Sequence, residues 1–276
     1  MQTITPNRQS DAGASERFSR RQPKISVIIP TLNEAEMIAR TLQSIPSDEA
    51  IEVIVADGGS RDDTVRIARA FGANVVHTAP GRAHQMNVGA AAAQGEVLLF
   101  LHADTRLPAE FVSLVFEVLR RPGVVVGAFR LRLDAPEWRF RIVEVLANFR
   151  SRWLKLPYGD QALFLRRFHF RMARGFSPLP IMEDFEFVRR LGRWGQIGLA
   201  PEAAVTSARR WKRLGGLRTT LLNQAIILAY LFGVSPDRLA RWYRSEAPAP
   251  ESCQRRSVRG QAPAPVARPL PSAHEH

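Results

Sequence analysis

The stretch KISVIIPTLNE, residues 24–34, joins a short apolar run to a polar loop, and the first half of the chain repeats this arrangement. KISVIIP is rich in branched side chains, which is typical of a buried strand. Similar runs occur in IEVIVAD at 51–57, NVVHT at 74–78 and EVLLFLHAD at 96–104. Because helical patterns separate these runs, we predict alternating strands and helices that build a parallel sheet covered on both faces.

After Pro122, the regular alternation of strand and helix patterns ends. VVVGAFRLRLD at 124–134 ends in alternating apolar and basic residues, which is typical of a half-exposed strand. The other predicted elements are helices at about 137–154, 182–195, 215–232 and from Ser235 onward, and a short strand at 159–167. The sequence therefore predicts an α/β fold with a mainly parallel sheet, helices on both faces and a C-terminal helical extension.

The two ends of the chain differ in composition from the rest. Residues 1–24 and 246–276 are polar and have no apolar period, and the second of them is rich in proline and alanine, so we predict that both are disordered. The main domain then covers residues 25–211, and the helical extension covers 212–245. A single cysteine, Cys253, excludes an internal disulfide.

The chain is strongly basic, with a formal net charge of +13 from 39 basic and 26 acidic residues. Most of this charge lies between the two tails. Such a balance suits a polyanionic partner, which includes nucleic acid, nucleotide phosphates and an anionic membrane surface. The first 24 residues lack the apolar segment of a secretory signal, so the expected location is the cytoplasm, with the inner face of the cell membrane as an alternative.

Polar loops follow three of the first four predicted strands. These loops are PTLNE at 30–34, DGGS at 57–60 and HAD at 102–104. A plain turn explains DGGS taken alone, and Asp104 with Thr105 is also compatible with a simple loop or helix cap. In open α/β sheets, however, ligands bind beyond the carboxyl ends of the strands. Three such loops at one edge therefore predict a ligand site.

Five segments, in this order, resemble the family 2 glycosyltransferases, which have the GT-A fold. They are SVIIPTLNE, VIVADGGSRDDT, GRAHQMNVGA, LLFLHADT and IMEDFEF, and the resemblance covers roughly residues 25–211. GRAHQMN, PYGDQALF and SARRW further resemble a bacterial subgroup associated with selenodomain and arsenosugar-type gene neighbourhoods. The resemblance implies metal-dependent transfer of a sugar from a nucleotide-diphospho-sugar, with UDP or GDP, to an acceptor hydroxyl or carboxylate.

The resemblance also implies which residues bind the donor. The PTLNE loop would contact base and ribose, and Asp57 would accept a hydrogen bond from a uracil or guanine edge. Arg82 would face the diphosphate, a task that suits its charged, forked group of donors. The full donor-side set implied in this way is Pro30, Thr31, Asn33, Glu34, Asp57, Gly58, Arg82, Asn87 and Arg210.

A divalent cation, Mg²⁺ or Mn²⁺, is the cofactor that the resemblance implies, and Asp104 would be its carboxylate ligand. Such a cation prefers oxygen ligands and takes several from phosphates and water, so one or two protein carboxylates suffice. His102 stands where many relatives carry an acid. It is a candidate metal ligand, with a ribose contact or a packing role as alternatives.

The resemblance places the catalytic base at Asp184, because the acid after Glu in the ED motif has this role in the family. A base accepts the proton of the acceptor hydroxyl, and a single displacement inverts the anomeric carbon. Alternatively, Glu183 and Asp184 only cap a helix. Asp160, Gln161 and Glu183 are the candidate acceptor-side residues, although a structural turn also explains PYGDQALF.

The arginines of SARRW, residues 207–211, are candidates for a contact with the diphosphate. Arg209 or Arg210 would neutralise the charge of the leaving diphosphate. A solvated surface position is the alternative for both.

Other classes of protein explain part of the sequence. A nucleotidyltransferase needs a glycine-rich loop with a lysine after the first strand, and PTLNEAE does not have this composition. The sequence has no RNP, helix-turn-helix or zinc pattern, so we expect no nucleic-acid partner. A nucleotide-sugar-binding protein without transferase activity stays open.

The apolar segment at 216–234 leaves open a peripheral membrane contact and a lipid- or carotenoid-type acceptor. This segment is too short and, in its first part, too polar to span a bilayer. It is predicted to pack in the protein interior, with docking at the membrane interface as the alternative. The acceptor and the oligomeric state do not follow from the sequence.

Overall fold

The computed structural model of the protein describes residues 24–214 and 216–246. The predictions of disordered tails fall on residues 1–23 and 247–276, which lie outside the described residues. The strands of the described part are β1 (Ile25–Thr31), β2 (Ile51–Asp57), β3 (Asn74–His77), β4 (Val97–Phe100), β5 (Thr105–Arg106), β6 (Val124–Asp134), β7 (Phe164–Arg166) and β8 (Gln196–Ser207).

Helices cover both faces and one end of this sheet. They are α1 (Ala35–Gln43), α2 (Thr64–Ala70), α3 (Arg82–Ala92), α4 (Phe111–Arg120), α5 (Trp138–Trp153), α6 (Arg167–Met172), α7 (Glu183–Leu191), α8 (Arg209–Leu214), α9 (Gly216–Leu231) and α10 (Pro236–Glu246). One turn of 3-10 helix covers Gly159–Gln161. The helices predicted between the first four strands and the long helix before residue 154 are confirmed.

The strands form one sheet in the order β3-β2-β1-β4-β7-β6-β8-β5. The first four of these strands are parallel, whereas β7 runs antiparallel to both of its neighbours, β4 and β6. β8 runs parallel to β6, and β5 runs antiparallel to β8. The predicted α/β class is confirmed, and the parallel part of the sheet is the half that carries the polar loops.

Side chains of β1 alternate between two buried layers, as the pleat of a strand requires. Val27 belongs to a buried cluster with Ile38 of α1 and Phe111 of α4. The next residue, Ile28, belongs to a second cluster with residues of α3. A Cβ at Gly89 of α3 would lie only 2.5 Å from Cγ2 of Ile28, so the close approach of α3 to β1 requires glycine. Both faces of the sheet are therefore packed.

The structure corrects the predicted bounds of two strands. β4 ends at Phe100 rather than at Asp104, because residues 102–105 form a turn that is closed by the bond from Thr105 N to the carbonyl oxygen of His102. Residues 159–167 are not one strand, because the 3-10 turn comes first and Ala162, with φ of 48°, separates it from β7. The acid of the HAD loop thus lies beyond the strand, at the edge of the sheet.

Besides the two-residue strand β5, three elements were not predicted at all. β8 contains many small residues and Pro201, and it pairs with β6 across a register shift. The other two are the short helices α6 and α8, of only six residues each. Helices of this length carry little periodic signal in the sequence.

The helix predicted at 215–232 corresponds to α9, which packs against α5, α8 and α10. Ile226 and Ile227 are buried, whereas Leu221 and Leu228 are more than half exposed. The predicted interior packing therefore holds for one side of this helix. Among residues 24–214 and 216–246, no helix is both long and apolar enough to cross a membrane.

Candidate active site

The carboxyl ends of β1, β2 and β4 meet the first turns of α3 and α7 and the 3-10 turn at one edge of the sheet. Pairing in register places Thr31 opposite Asp57, and Asp57 opposite His77. A pocket opens beside these strand ends. Its lining residues are Pro30, Arg82, Met86, Phe100, Leu101, His102, Gly159, Leu163, Phe176 and Asp184. Four of the residues singled out from the sequence as donor, metal and base groups thus line one pocket: Pro30, Arg82, His102 and Asp184.

The Asp57 carboxylate holds the DGGS loop in shape. Its Oδ2 accepts hydrogen bonds from the backbone N–H groups of Gly59 and Ser60, both at 3.0 Å. Its Oδ1 accepts from the hydroxyl groups of Ser60 and Thr31. Burial raises the pKa of Asp57, but the hydrogen bonds of the loop outweigh it and hold the pKa below its usual value. A contact with a nucleobase requires one of these bonds to open, and it remains a prediction.

Gln85 of α3 joins the ends of β1 and β2, a role that was not predicted. Its Nε2 donates to the carbonyl oxygens of Thr31 at 2.7 Å and Ala56 at 2.9 Å. A Cβ at Gly58 would lie 3.0 Å from this same nitrogen, so the DGGS loop passes directly over the amide. Gln85 lies within the GRAHQMN motif, one turn after Arg82. This position is the feature of the sequence that could have indicated its role.

Asn33 ties the PTLNE loop to the DGGS loop. Its backbone N–H donates to Oγ of Ser60 at 2.9 Å, and its Oδ1 accepts from the backbone N–H of Arg61 at 2.8 Å. Its φ of 56° lies in the left-handed region, which asparagine tolerates better than most residues. The side chain is exposed, so the predicted ribose side of the site consists of an ordered and accessible loop.

Arg209 reaches across to the loops that follow β1 and β4. Its Nη2 lies 2.9 Å from Oε2 of Glu34 and 3.7 Å from Oδ2 of Asp104. Burial raises the pKa of Glu34 above its usual value, and this effect outweighs the opposing charge of Arg209. Of the two arginines considered in SARRW, Arg209 is therefore at the sheet edge. The side chain of Arg210 lies outside the described part of the structure.

Asp104 is a partly exposed carboxylate in the loop after β4. Its side chain is 27% exposed, and its Oδ1 lies 3.5 Å from Oγ1 of Thr206. Among the residues that the structure describes, no group of three or more histidine, cysteine and acidic side chains forms a metal cage. Mg²⁺ is commonly held by one or two carboxylates together with substrate phosphates and water. The residues present fit a cation site of that incomplete kind.

Arg82 lies at the centre of the acidic part of the pocket. Its Nη1 is 3.4 Å from Oε1 of Glu183, and half of the arginine side chain is exposed, whereas Glu183 is buried. Burial lowers the pKa of Arg82, but nearby carboxylates raise it above its usual value. These carboxylates are Glu183, Asp184, Asp104 and Asp160. Burial also raises the pKa of Glu183, against the opposing charge of Arg82.

Asp184 is held at the first turn of α7 by two backbone N–H groups. Its Oδ2 accepts from Gly159 at 2.7 Å and its Oδ1 accepts from Phe185 at 2.7 Å. These bonds use two of the roughly four acceptor positions of a carboxylate. A Cβ at Gly159 would lie 3.0 Å from Oδ2 of Asp184 and 3.1 Å from Nε2 of His102. A side chain at this position would press on both groups, so the turn passes closely between the predicted base and the predicted metal-side histidine.

Two predicted site residues bind neighbouring groups of the protein in this structure. Asn87 donates to the carbonyl oxygen of Phe176 and accepts from its N–H, both at 2.9 Å, so its amide holds that backbone. Gln161 is completely buried, and its amide binds Phe129 and Ser151. The donor contact of Asn87 and the acceptor contact of Gln161 stay predictions. Asp160, beside Gln161, stays a candidate.

We expect Arg82→Gln to destabilise the protein in a pH-dependent way. Loss of the guanidinium leaves Glu183 without its countercharge, so the pKa of Glu183 rises further. A raised folded-state pKa means that the folded state binds more protons than the unfolded state, so stability falls as pH rises through this window. The deficit at neutral pH is about 1–3 kcal/mol, and it shrinks on acidification.

Urea unfolding at several pH values measures this effect. The double variant Arg82→Gln with Glu183→Gln should recover most of the lost stability at neutral pH, since it removes the buried charge. A deficit that is the same at every pH would show that Arg82 does not act through Glu183.

Comparisons with known proteins identify the family of the chain. A family model described as glycosyl transferase family 2 matches residues 26–176, more than half of the chain. A PGL/p-HBAD biosynthesis glycosyltransferase of Mycobacterium bovis is 40% identical over 94 residues, which cover 31% of this chain and 37% of that protein. An uncharacterized glycosyltransferase of Mycobacterium bovis is 32% identical over 143 residues, 50% of this chain and 64% of that protein. The chain thus covers less than two thirds of either relative.

Solved structures with the same fold include two nucleotide complexes. Glucosyl-3-phosphoglycerate synthase from Mycobacterium tuberculosis, with Mn²⁺, UDP and glucosyl-3-phosphoglycerate, has a TM-score of 0.55 and 24% identity, over 76% of this chain and 80% of that chain. Mannosyltransferase PcManGT from Pyrobaculum calidifontis, with GDP-Man and Mn²⁺, has a TM-score of 0.55 and 21% identity. The match covers 82% of this chain and 69% of that chain. The fold is therefore the predicted GT-A fold, and with the match of its family model the chain belongs to glycosyl transferase family 2.

Proposed function

We propose that this protein transfers a sugar from a nucleotide-diphospho-sugar to an acceptor hydroxyl or carboxylate, with inversion by a single displacement. The observation that carries this proposal is the pocket in which Arg82 and Asp184 face each other at the carboxyl edge of the sheet. One offers a cation for a diphosphate, and the other offers a carboxylate for a proton. A sugar bound between them would meet both.

The donor side rests on two arginines whose charges face this edge. Arg82 is half exposed beside Glu183, and Arg209 pairs with Glu34 and approaches Asp104. Guanidinium groups bind phosphate oxygens with two parallel hydrogen bonds, so a diphosphate would replace part of these ion pairs. UDP or GDP is supported as the nucleotide because the similar synthase was solved with UDP and the similar mannosyltransferase with GDP-Man.

Asp104 would hold a Mg²⁺ or Mn²⁺ ion, with His102 as the candidate second ligand. When bound, such a cation would neutralise the charge that develops on the leaving diphosphate. Arg209 stands 3.7 Å from the same carboxylate and contributes positive charge at this position from the chain itself.

Asp184 would accept the proton of the acceptor at a carboxylate oxygen. The bond from Gly159 N–H orients this carboxylate toward the pocket, and the first turn of α7 stabilises its charged form. Apolar side chains, among them Met86, Phe100 and Phe176, form the wall behind the pocket and limit the access of water. Glu183, which is buried beside Arg82, would position that arginine, and its predicted contact with the acceptor stays open.

We further propose that the chain belongs to the bacterial subgroup marked by GRAHQMN, PYGDQALF and SARRW. The support is that each segment has a place at the site. Arg82 and Gln85 come from the first, the turn that contacts Asp184 comes from the second, and Arg209 comes from the third.

A panel of UDP- and GDP-sugars tests the proposal. We expect at least one donor to raise the melting temperature in the presence of Mn²⁺ and to release its nucleoside diphosphate, and we expect a chelator to weaken both effects. A donor that stabilises the fold but is never cleaved, with any acceptor, would indicate a binding protein. If no member of the panel binds, the proposed function is wrong.

A further inference from the structure

The outward face of α5 carries six large apolar side chains that the described structure leaves in solvent. They are Trp138, Ile142, Val145, Leu146, Phe149 and Trp153, and they are between 48% and 71% exposed. Their spacing of three and four residues places all of them on one stripe of the helix, which we call the α5 apolar face. The opposite stripe of α5 is buried and includes Phe140, Val143 and Ala147.

An apolar stripe of this size on a protein surface marks a contact with another molecule. Burying a large apolar side chain is favourable, so six exposed ones on a single stripe form a strong potential binding surface. A single exposed leucine or valine needs no such explanation.

The exposed charged side chains within α5 are all basic, and the acid just before the helix, Glu137, pairs with Lys212. Arg139, Arg152 and Lys155 are exposed on its flanks and at its end. The single acid within α5, Glu144, is buried and paired with Arg141. Tryptophan stands at both ends of the helix. A helix with tryptophan, phenylalanine and leucine on one face and basic side chains beside them is typical of helices that lie in the interface of a bilayer.

We propose that the α5 apolar face docks on an anionic lipid bilayer, with the helix lying in the plane of the membrane interface. The flanking basic side chains and the net charge of +13 complement anionic headgroups. Two copies of this chain that met through the same face would instead bring their basic side chains together, which charge repulsion opposes. The charges therefore favour the bilayer over a second copy as the occupant.

Docking through α5 also has a consequence for the acceptor, which rests on the proposed function. The buried side of α5 holds the turn beside Asp184, because Oγ of Ser151 donates to Oε1 of Gln161 at 2.7 Å. Nε of Arg150 donates to the carbonyl oxygen of Leu156 at 2.9 Å. A docked α5 brings this turn close to the membrane, so the acceptor would be an amphiphile held in the bilayer. The docking itself requires no turnover.

Sedimentation of the full chain with vesicles tests the docking. We expect binding to vesicles of phosphatidylcholine mixed with phosphatidylglycerol, and little binding to phosphatidylcholine alone or at high salt. The triple variant Trp138→Ser, Phe149→Ser, Trp153→Ser should bind the mixed vesicles at least about tenfold more weakly, since each lost side chain removes buried apolar area. All three side chains are exposed, so its melting temperature and donor binding should match those of the wild type.

The matched control replaces exposed aromatic residues elsewhere, Phe71→Ser with Trp194→Ser, and should bind vesicles as the wild type does. Absence of wild-type binding to the mixed vesicles, or equal binding by the triple variant, would overturn the proposal. A wild-type dimer that becomes a monomer in the triple variant, without vesicle binding in either, would assign the face to a second copy and would also overturn it. Vesicle binding without turnover on any donor would refute only the proposed function.

Discussion

Asp184→Asn is expected to lower turnover by about two orders of magnitude or more, the usual scale for the loss of a general base. Donor affinity should stay within a few-fold, because we propose that arginines, and not this carboxylate, bind the diphosphate. Asparagine keeps an oxygen that accepts from Gly159 N–H, so the local fold should persist. Turnover with a working acceptor and donor titration on the same preparation measure both quantities.

The matched control is Glu186→Gln, which removes another acid from the first turn of α7. Glu186 pairs with Arg190 and accepts from Ser177 Oγ, and it is not among the residues that line the pocket. This variant should retain turnover and lose only some stability. If Asp184 merely caps α7, asparagine caps nearly as well as aspartate, and turnover would survive. That outcome would remove Asp184 from the mechanism and, with it, the proposed single displacement.

Asp104→Asn is expected to abolish the metal-dependent part of nucleotide binding. Within residues 24–214 and 216–246, the contacts of its carboxylate with Thr206 and Arg209 are long, so the fold should lose no more than about 1 kcal/mol of stability, as for an exposed ion pair. Titration of UDP and GDP with Mn²⁺ and then with a chelator separates the two contributions. The variant should give the same weak affinity in both conditions.

A control for this variant is Asp134→Asn, since Asp134 is an exposed acid that pairs with Arg106 away from the pocket. It should bind nucleotide as the wild type does, and His102→Ala should have a milder effect than Asp104→Asn. Wild-type affinity with Mn²⁺ in the Asp104 variant would show that this residue holds no cation.

Much of the fold follows from local patterns in the sequence. β1, β2 and β6 were predicted within one residue of their bounds, because continuous apolar runs and alternation are strong signals in strands of this kind. β8 was missed because its small residues and Pro201 give no such signal, and it becomes a strand through pairing with β6 far away in the chain. Strand formation there depends on tertiary context.

The predicted site residues also differ in whether local sequence or tertiary context decides their surroundings. Arg82, His102 and Asp184 were predicted at one site, and they line one pocket because strand ends and helix starts meet at the sheet edge. The partners of Asn87 and Gln161 are backbone groups at Phe176 and Phe129, remote in sequence. The sequence alone does not distinguish an amide side chain that binds a ligand from one that binds a neighbouring backbone.

The exposed face of α5 shows a related limit. The sequence draws attention to the apolar segment at 216–234, whereas the α5 apolar face lies in a helix in which arginines alternate with apolar residues. An amphipathic pattern predicts a helix but not which face is buried. The neighbours β6 and α9, which pack against α5, decide that.

The most direct test of the central claim is a crystal structure of the protein grown with Mn²⁺ and UDP or GDP, with anomalous data collected at the manganese edge. The account predicts an anomalous peak in contact with the Asp104 carboxylate. It also predicts electron density for the diphosphate next to Arg82. The Asp184 carboxylate should lie on the far side of the pocket, without contact to the nucleotide. Nucleotide bound at another surface, or a manganese peak away from Asp104, would contradict it.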